Sequence, residues 1–143
     1  MEIRPLVETD YSLGYLDLIC QLSNTIKSTV SLEDFSARIK KIREQNGQIY
    51  VIVLDDKLLA SGTLLIESKF IHDLGQVGHI EDIVVEKNSR GQGLAQKITN
   101  FLISKAFEKG CYKVILDCQE RHCRLYEKCG LSQKQVQMSI YLD

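Results

Sequence analysis

Ile83-Val84-Val85-Glu86-Lys87-Asn88-Ser89-Arg90-Gly91-Gln92-Gly93-Leu94-Ala95 is the stretch whose reading decides the fold. It opens as an apolar, β-branched run and crosses a polar turn. It then enters a segment with Leu94, Ile98, Phe101, Leu102 and Ala106 spaced i, i+4, i+7, i+8 and i+12. That spacing predicts a strand over 78–85, a glycine loop over 86–93 and an amphipathic helix closed by Lys109 and Gly110. Glycines at 91 and 93 let the backbone take positive φ and approach a ligand closely. The first N–H groups of the new helix lack intrahelical partners, and with the helix dipole they favour a phosphate or pyrophosphate. Two other phosphate motifs are excluded. A dinucleotide fingerprint needs glycine where Gln96 stands, and a Walker A loop needs Gly-Lys-Ser/Thr. A bare Gly-x-Gly is as readily a turn without a ligand; Arg90 ahead of the first glycine tips the reading toward a phosphate.

Outward from this stretch, the chain alternates strands and helices, the pattern of an α/β or α+β domain. Residues 2–6 read as a strand and 8–23 as an amphipathic helix. Ser31 with Asp34 resembles a capping box for a helix through Phe35, Ile39 and Ile42, which Gly47 is expected to stop. Residues 49–54 and 58–67 read as a hairpin, and 69–77 as a polar loop. Beyond the central helix come a strand over 112–118, a short helix over 121–129 and a final strand over 135–142.

The 143 residues suit one domain spanning 1–143, with an ordinary apolar content of 44%. A net charge of −1 gives no global field to attract nucleic acid or an anionic membrane. Five cysteines without a CxxC argue against a disulfide framework and a zinc site, so no metal is expected. The start of the chain lacks a signal-peptide pattern, and the expected location is the cytoplasm.

Val84-Val85-x-x-x-x-Arg90-Gly91-x-Gly93-x-Ala95 resembles the acetyl-coenzyme A signature of GNAT acetyltransferases. The resemblance implies the GNAT fold, a mixed, mostly antiparallel twisted sheet flanked by helices, with acetyl-CoA as cosubstrate. It implies coenzyme contacts from Ile83, Val84, Val85, Arg90, Gly91, Gln92, Gly93, Leu94, Ala95, His122, Tyr126 and Lys128. Gly78-His79-Ile80-Glu81-Asp82-Ile83, Gly110-Cys111-Tyr112-Lys113 with Asp117-Cys118, and Leu125-Tyr126-Glu127-Lys128-Cys129-Gly130 narrow it. Together they are similar to the eukaryotic glucosamine-6-phosphate N-acetyltransferase family, which serves UDP-N-acetylglucosamine biosynthesis.

Adjacent carboxylates at Glu81 and Asp82 inside an apolar strand should face opposite sides, and one facing inward costs free energy unless paired or used. The narrower resemblance implies that Thr25, Lys69, His72, Glu81, Asp82, Tyr112, Lys113 and Asp117 hold the sugar phosphate. It further implies catalytic roles for Tyr126, Asp117 and Glu81 in direct transfer, and a homodimer whose C-terminal strand joins the interface. The pattern departs at Tyr141, where relatives commonly carry a phosphate-binding arginine, and at His122, often an asparagine. Another small amine, a protein N-terminus or a non-catalytic acyl-CoA-binding module are the competing readings.

Overall fold

Valine and isoleucine runs at 47–54 and 57–68 pair into a hairpin because Asp55 and Asp56 both take left-handed φ, 49° and 57°. That is the tight two-residue turn whose twist matches the strands. The structure, a computed structural model, describes residues 1–142. Its sheet runs β1 (Glu2–Pro5), β2 (Gly47–Leu54), β3 (Lys57–Ser68), β4 (Gln76–Val85) and β5 (Cys111–Ile115) in spatial order. The first three pairings are antiparallel and β4–β5 is parallel. The sheet is therefore mixed and mostly antiparallel, as the resemblance implies.

Alternation sends the two faces of β2 to two cores. Tyr50 and Ile52 pack under α4 (Leu94–Glu108) with Leu64, Ile80, Ile98 and Leu102. Ile49 and Val51 pack under α1 (Tyr15–Cys20) and α2 (Leu32–Glu44) with Tyr15, Leu18, Phe35 and Ile39. Ile98 and Leu102 have no exposed surface, and each contributes about 1.5–3 kcal/mol by burial. Asp10 is fully buried and takes a bidentate bond from Arg4 at 2.7 and 2.8 Å. Burial pushes its carboxyl up. The Arg4 hydrogen bond, the Val7 amide and the Arg4 charge together pull it below its ordinary value.

Ile80 and Val84 lie on opposite faces, although strand alternation would put them on the same one. The reason is a β-bulge. In the register, Ser61 faces Val84 and Thr63 faces Glu81, so Gly62 opposes both Asp82 and Ile83, and Asp82 takes φ 53°. One extra residue inverts the parity of everything after it. A Cβ at Gly62 would come within 2.6 Å of Ile83 Cδ1 and 2.9 Å of Leu102 Cδ1, so a larger residue opposite the bulge requires both side chains to move.

The remaining elements correct the sequence reading at their edges. The helix expected over 8–23 is a 3-10 turn (Glu8–Tyr11) followed by α1, broken where Gly14 sits at φ 83°. Ser31 caps α2 through the Asp34 amide at 3.1 Å, without a return bond from Asp34. Asn46 at φ 61°, not Gly47, takes the left-handed position after α2. Gly47 opens β2, where a Cβ would meet Leu65 at 2.7 Å. The loop expected over 69–77 contains α3 (Ile71–Leu74), a single turn with His72, Asp73 and Leu74 at φ 55–59°. Each non-glycine residue there costs about 1–2 kcal/mol. α5 (Cys123–Lys128) follows a 3-10 turn at Glu120–His122. The strand expected over 135–142 does not form within the chain: Val136, Met138, Ile140 and Leu142 are almost fully exposed.

Candidate active site

The parallel pairing of β4 with β5 ends at His79 and Ile115, while β4 continues to Val85. Beyond that point the strands part, and the β4 backbone from Ile80 onward has no β5 partner. The bulge at Asp82 lies in this opened stretch. Leu116, Asp117 and Cys118 leave β5 along the other wall of the wedge.

At the far end of β4 is the glycine loop. Gly91 and Gly93 sit at φ 78° and 77°, and nothing lies within 4 Å of where a Cβ on either would be. Gly93 begins α4 with no side-chain cap, and the helical bonds start with the Lys97 amide on the Gly93 carbonyl at 3.0 Å. The amides of Leu94, Ala95 and Gln96 are thus left by the helix for a ligand. Open space at two glycines, uncapped amides and a helix dipole fit a pyrophosphate. Arg90 turns back so that its Nε donates to the Val85 carbonyl at 3.0 Å, and Gln92 is exposed. Ile83 and Val85 are half-buried over the α4 core and Val84 is buried in the other, so these residues offer the wedge their backbone.

Three carboxylates share the wedge. Burial raises the carboxyl of Glu81 above its ordinary value, and the charges of Asp82 and Asp117 push it further. Asp82 and Asp117 are themselves exposed. The bulge alters the sequence expectation here: Glu81 is half-buried, and neither carboxylate is fully inward. A carboxylate with a raised pKa is suited to taking a proton from an amine near neutral pH. Tyr126, on α5, is half-buried, and burial followed by the nearby Cys118 and Cys129 raises its hydroxyl. It therefore holds its proton at neutral pH and can donate it. His122 and Lys128 bracket α5 and are exposed.

The expected phosphate-side residues divide into two groups. His72 stacks on Tyr112 with ring centroids 3.9 Å apart, and Lys113 Nζ lies 5.8 Å from the same ring. Tyr112 Oη is buried without a hydrogen-bond partner. Lys113 faces Val77 in the register, four residues before Glu81, or roughly 13 Å along the strand. One chain therefore does not bring this group to the carboxylates. Lys69 comes nearer, through residues the sequence reading missed. Its Nζ pairs with Glu67 at 3.1 Å, and Glu67 also bonds His79 Nε2 at 3.0 Å. His79 stands two residues before Glu81 on the same face, and its charge offsets a little of the upward push that burial, Asp82 and Asp117 put on Glu81. Thr25 is exposed in the loop before α2 and bonds Ser23 at 3.1 Å; no bond joins it to the carboxylates.

Two further positioning residues were not legible in the sequence. Tyr15 bonds Ser61 at 3.2 Å, and its hydroxyl is pushed up to about 12 by burial, with Asp82 among the charges acting on it. Gln21 accepts the Lys87 amide at 2.8 Å and holds the loop after β4. These partners lie 46 and 66 residues away, so no local pattern could mark them. Two surface concavities of about 490 and 580 Å³ lie elsewhere, against α2 and across the ends of β2–β4. Neither is lined by the carboxylates or by the glycine loop. Among the described residues, no group of three potential metal ligands converges.

A parted β4–β5 pair, a bulged β4 and a glycine loop opening α4 together define an acyl-coenzyme A transferase architecture. Residues 16–131 match the family model described as the acetyltransferase (GNAT) family, and the chain belongs to that family, whose acyl donor is acetyl-CoA. More narrowly, it is 40% identical to the glucosamine 6-phosphate N-acetyltransferase of Arabidopsis thaliana, over 99% of this chain and 97% of the relative. It is 41% identical to glucosamine 6-phosphate N-acetyltransferase 1 of Dictyostelium discoideum, over 99% of this chain and 91% of that one. The crystal structure of the Arabidopsis enzyme matches with a TM-score of 0.93 at 41% identity, covering 99% and 98% of the two chains.

Proposed function

We propose that this protein transfers the acetyl group of acetyl-CoA to the 2-amine of glucosamine 6-phosphate, giving N-acetylglucosamine 6-phosphate for UDP-N-acetylglucosamine synthesis. The observation that carries the reading is the cluster of Glu81, Asp82 and Asp117 where β4 and β5 part, in a chain matched end to end by relatives named for that substrate. Carboxylates bind an ammonium group and sugar hydroxyls, and they accept the proton the amine must lose.

Acetyl-CoA, when bound, supplies an activated acetyl thioester. Gly91, Gly93 and the amides of Leu94 to Gln96 would hold its pyrophosphate, with Arg90, Gln92, His122 and Lys128 around the groove. The β4 backbone at Ile83–Val85 would orient the acetyl end and offer an N–H to developing negative charge. Glu81 or Asp117 takes the amine proton, directly or through a water, and Tyr126 Oη donates a proton to the departing thiolate. Both substrates are held together, so transfer is direct. Lys69, His72, Tyr112 and Lys113 would meet the sugar and its phosphate, the last three from a second copy of the chain.

That second copy is part of the reading. Val136, Met138, Ile140 and Leu142 are apolar at strand spacing and at least 88% exposed. β5 is an edge strand, and an exposed apolar strand and an open sheet edge invite pairing. A homodimer that exchanges its C-terminal strands would cover both and complete each site.

The test is coenzyme A release from acetyl-CoA with glucosamine 6-phosphate against unphosphorylated glucosamine. Strong turnover confined to the phosphorylated sugar is the expected result. Turnover with neither would discard the amino-sugar reading and leave the family assignment standing.

A further inference from the structure

Cys118 and Cys123 stand on either side of the turn that joins the exit of β5 to α5. Their sulfurs are 3.9 Å apart, in contact and unbonded. Cys118 is exposed and Cys123 is half-buried. The other cysteines are placed differently. Cys111 is buried, and Cys129 Sγ is directed at the carbonyls of Leu125 and Gln96, 3.5 and 3.9 Å away. A disulfide needs its sulfurs at ~2.05 Å, so closing the gap takes χ1 rotation of both side chains together with a shift of the backbone that carries them. Nothing in the proposed transfer uses either thiol.

The pair is also connected to the proposed reaction. Cys118 follows Asp117 directly, and Cys123 is the first residue of α5. Tyr126 lies three positions beyond Cys123, on the same side of the helix, and is near enough to Cys118 to be affected by its charge. A bond between the two sulfurs would pull the first turn of α5 toward β5, and Tyr126 would move with it.

We propose that Cys118 and Cys123 form a redox-modification site, at which a small disulfide such as glutathione disulfide converts the two thiols into an intramolecular disulfide that switches transfer off. One thiolate attacks a sulfur of glutathione disulfide, forms a mixed disulfide and expels one glutathione. The second thiolate attacks the protein sulfur of that mixed disulfide, forms the Cys118–Cys123 bond and expels the second glutathione. The protein loses two hydrogens and the oxidant gains them. Exchange proceeds through thiolates. Burial, then the hydrogen bond and charge of Cys123, then Asp117 keep Cys118 protonated above the ordinary thiol range. The site is therefore slow at neutral pH and answers sustained rather than brief oxidation.

The bond itself does not depend on which amine is acetylated; its effect on turnover rests on the proposed role of Tyr126. The reduced protein is treated with excess glutathione disulfide, then divided between non-reducing peptide mapping by mass and coenzyme A release. The expected result is a Cys118–Cys123 cross-linked peptide, turnover lower by about 100-fold because a displaced catalytic group is that costly, and full recovery with dithiothreitol. Cys123→Ser should start at the parental rate and keep it under the same treatment. A glutathione adduct on Cys118 without a cross-link would overturn the site, as would equal inactivation of Cys123→Ser. A cross-link with unchanged turnover would overturn the switch. Because the mapping is read on the protein, it decides the site even if glucosamine 6-phosphate proves not to be the substrate.

Discussion

The two ends of the cleft are built in opposite ways. The glycine loop is contiguous: Arg90 to Ala95 is one run, shaped by two positive-φ glycines and the start of one helix. The carboxylate end is assembled from four places, the β4 bulge, the exit of β5, α5 and the turn before β4. Each is set by contacts far away in sequence. Gly62 leaves room for Ile83 and Leu102 opposite the bulge, Ser61 holds Tyr15 beside it, and Glu67 ties Lys69 to His79. A site half is thus robust when its geometry is local, and depends on the whole sheet when it is not.

The comparison can be tested by breaking each end separately. Tyr126→Phe should lower kcat by about 10²–10⁴-fold and leave the KM for acetyl-CoA nearly unchanged, as read by coenzyme A release. A KM effect instead would place Tyr126 at the binding end. Removing residues 132–143 should convert a dimer to a monomer by light scattering and lower sugar turnover by about 100-fold. Acetyl-CoA binding, measured by calorimetry, should survive, because the glycine loop is complete in one chain. Gly93→Val should do the reverse: a branched side chain at φ 77° is strained by about 1–2 kcal/mol, for a roughly tenfold rise in the KM for acetyl-CoA.

Two smaller effects sharpen the contrast. Gly62→Ala should destabilise by about 1–3 kcal/mol, seen as a Tm lower by several degrees, because its Cβ meets Ile83 and Leu102 at under 3 Å. It should also lower turnover although it touches no substrate. Glu81 has a folded pKa above its unfolded value. Its contribution to stability is therefore present at low pH and is lost as pH rises through the folded pKa. Glu81→Gln should raise Tm slightly at neutral pH while removing the acidic limb of the kcat/KM profile. A lowered Tm would mean the carboxylate is held by a partner rather than by burial.

The strands, the two main helices and their order were legible because each rests on a periodic pattern in its own residues. Ile98, Leu102 and Ala106 mark the buried stripe of α4 whatever lies opposite. Misreadings fell where short- and long-range demands compete. Gly47 looks like a helix stop until Leu65 and Ile42 crowd it, and Asn46 takes the left-handed position instead. Residues 8–23 carry helical spacing, but the buried Asp10 and the left-handed Gly14 break the segment in two. Residues 135–142 alternate as a strand should, yet a strand needs a neighbour, and among the described residues they pair with none although the edge of β5 is open.

At the site the division is the same. Residue types and their neighbours along the chain single out Arg90, Gly91, Gly93 and Glu81 as candidates, and the family resemblance adds Asp117 and Tyr126. The parity switch between Ile80 and Val84, the Glu67 bridge, the contact of Cys118 with Cys123 and the stacking of His72 on Tyr112 came only from the folded sheet. The physical reason is range. Backbone conformation and helix-end chemistry depend on a few adjacent residues. Burial, charge coupling and side-chain contact depend on which distant strand the fold sets alongside.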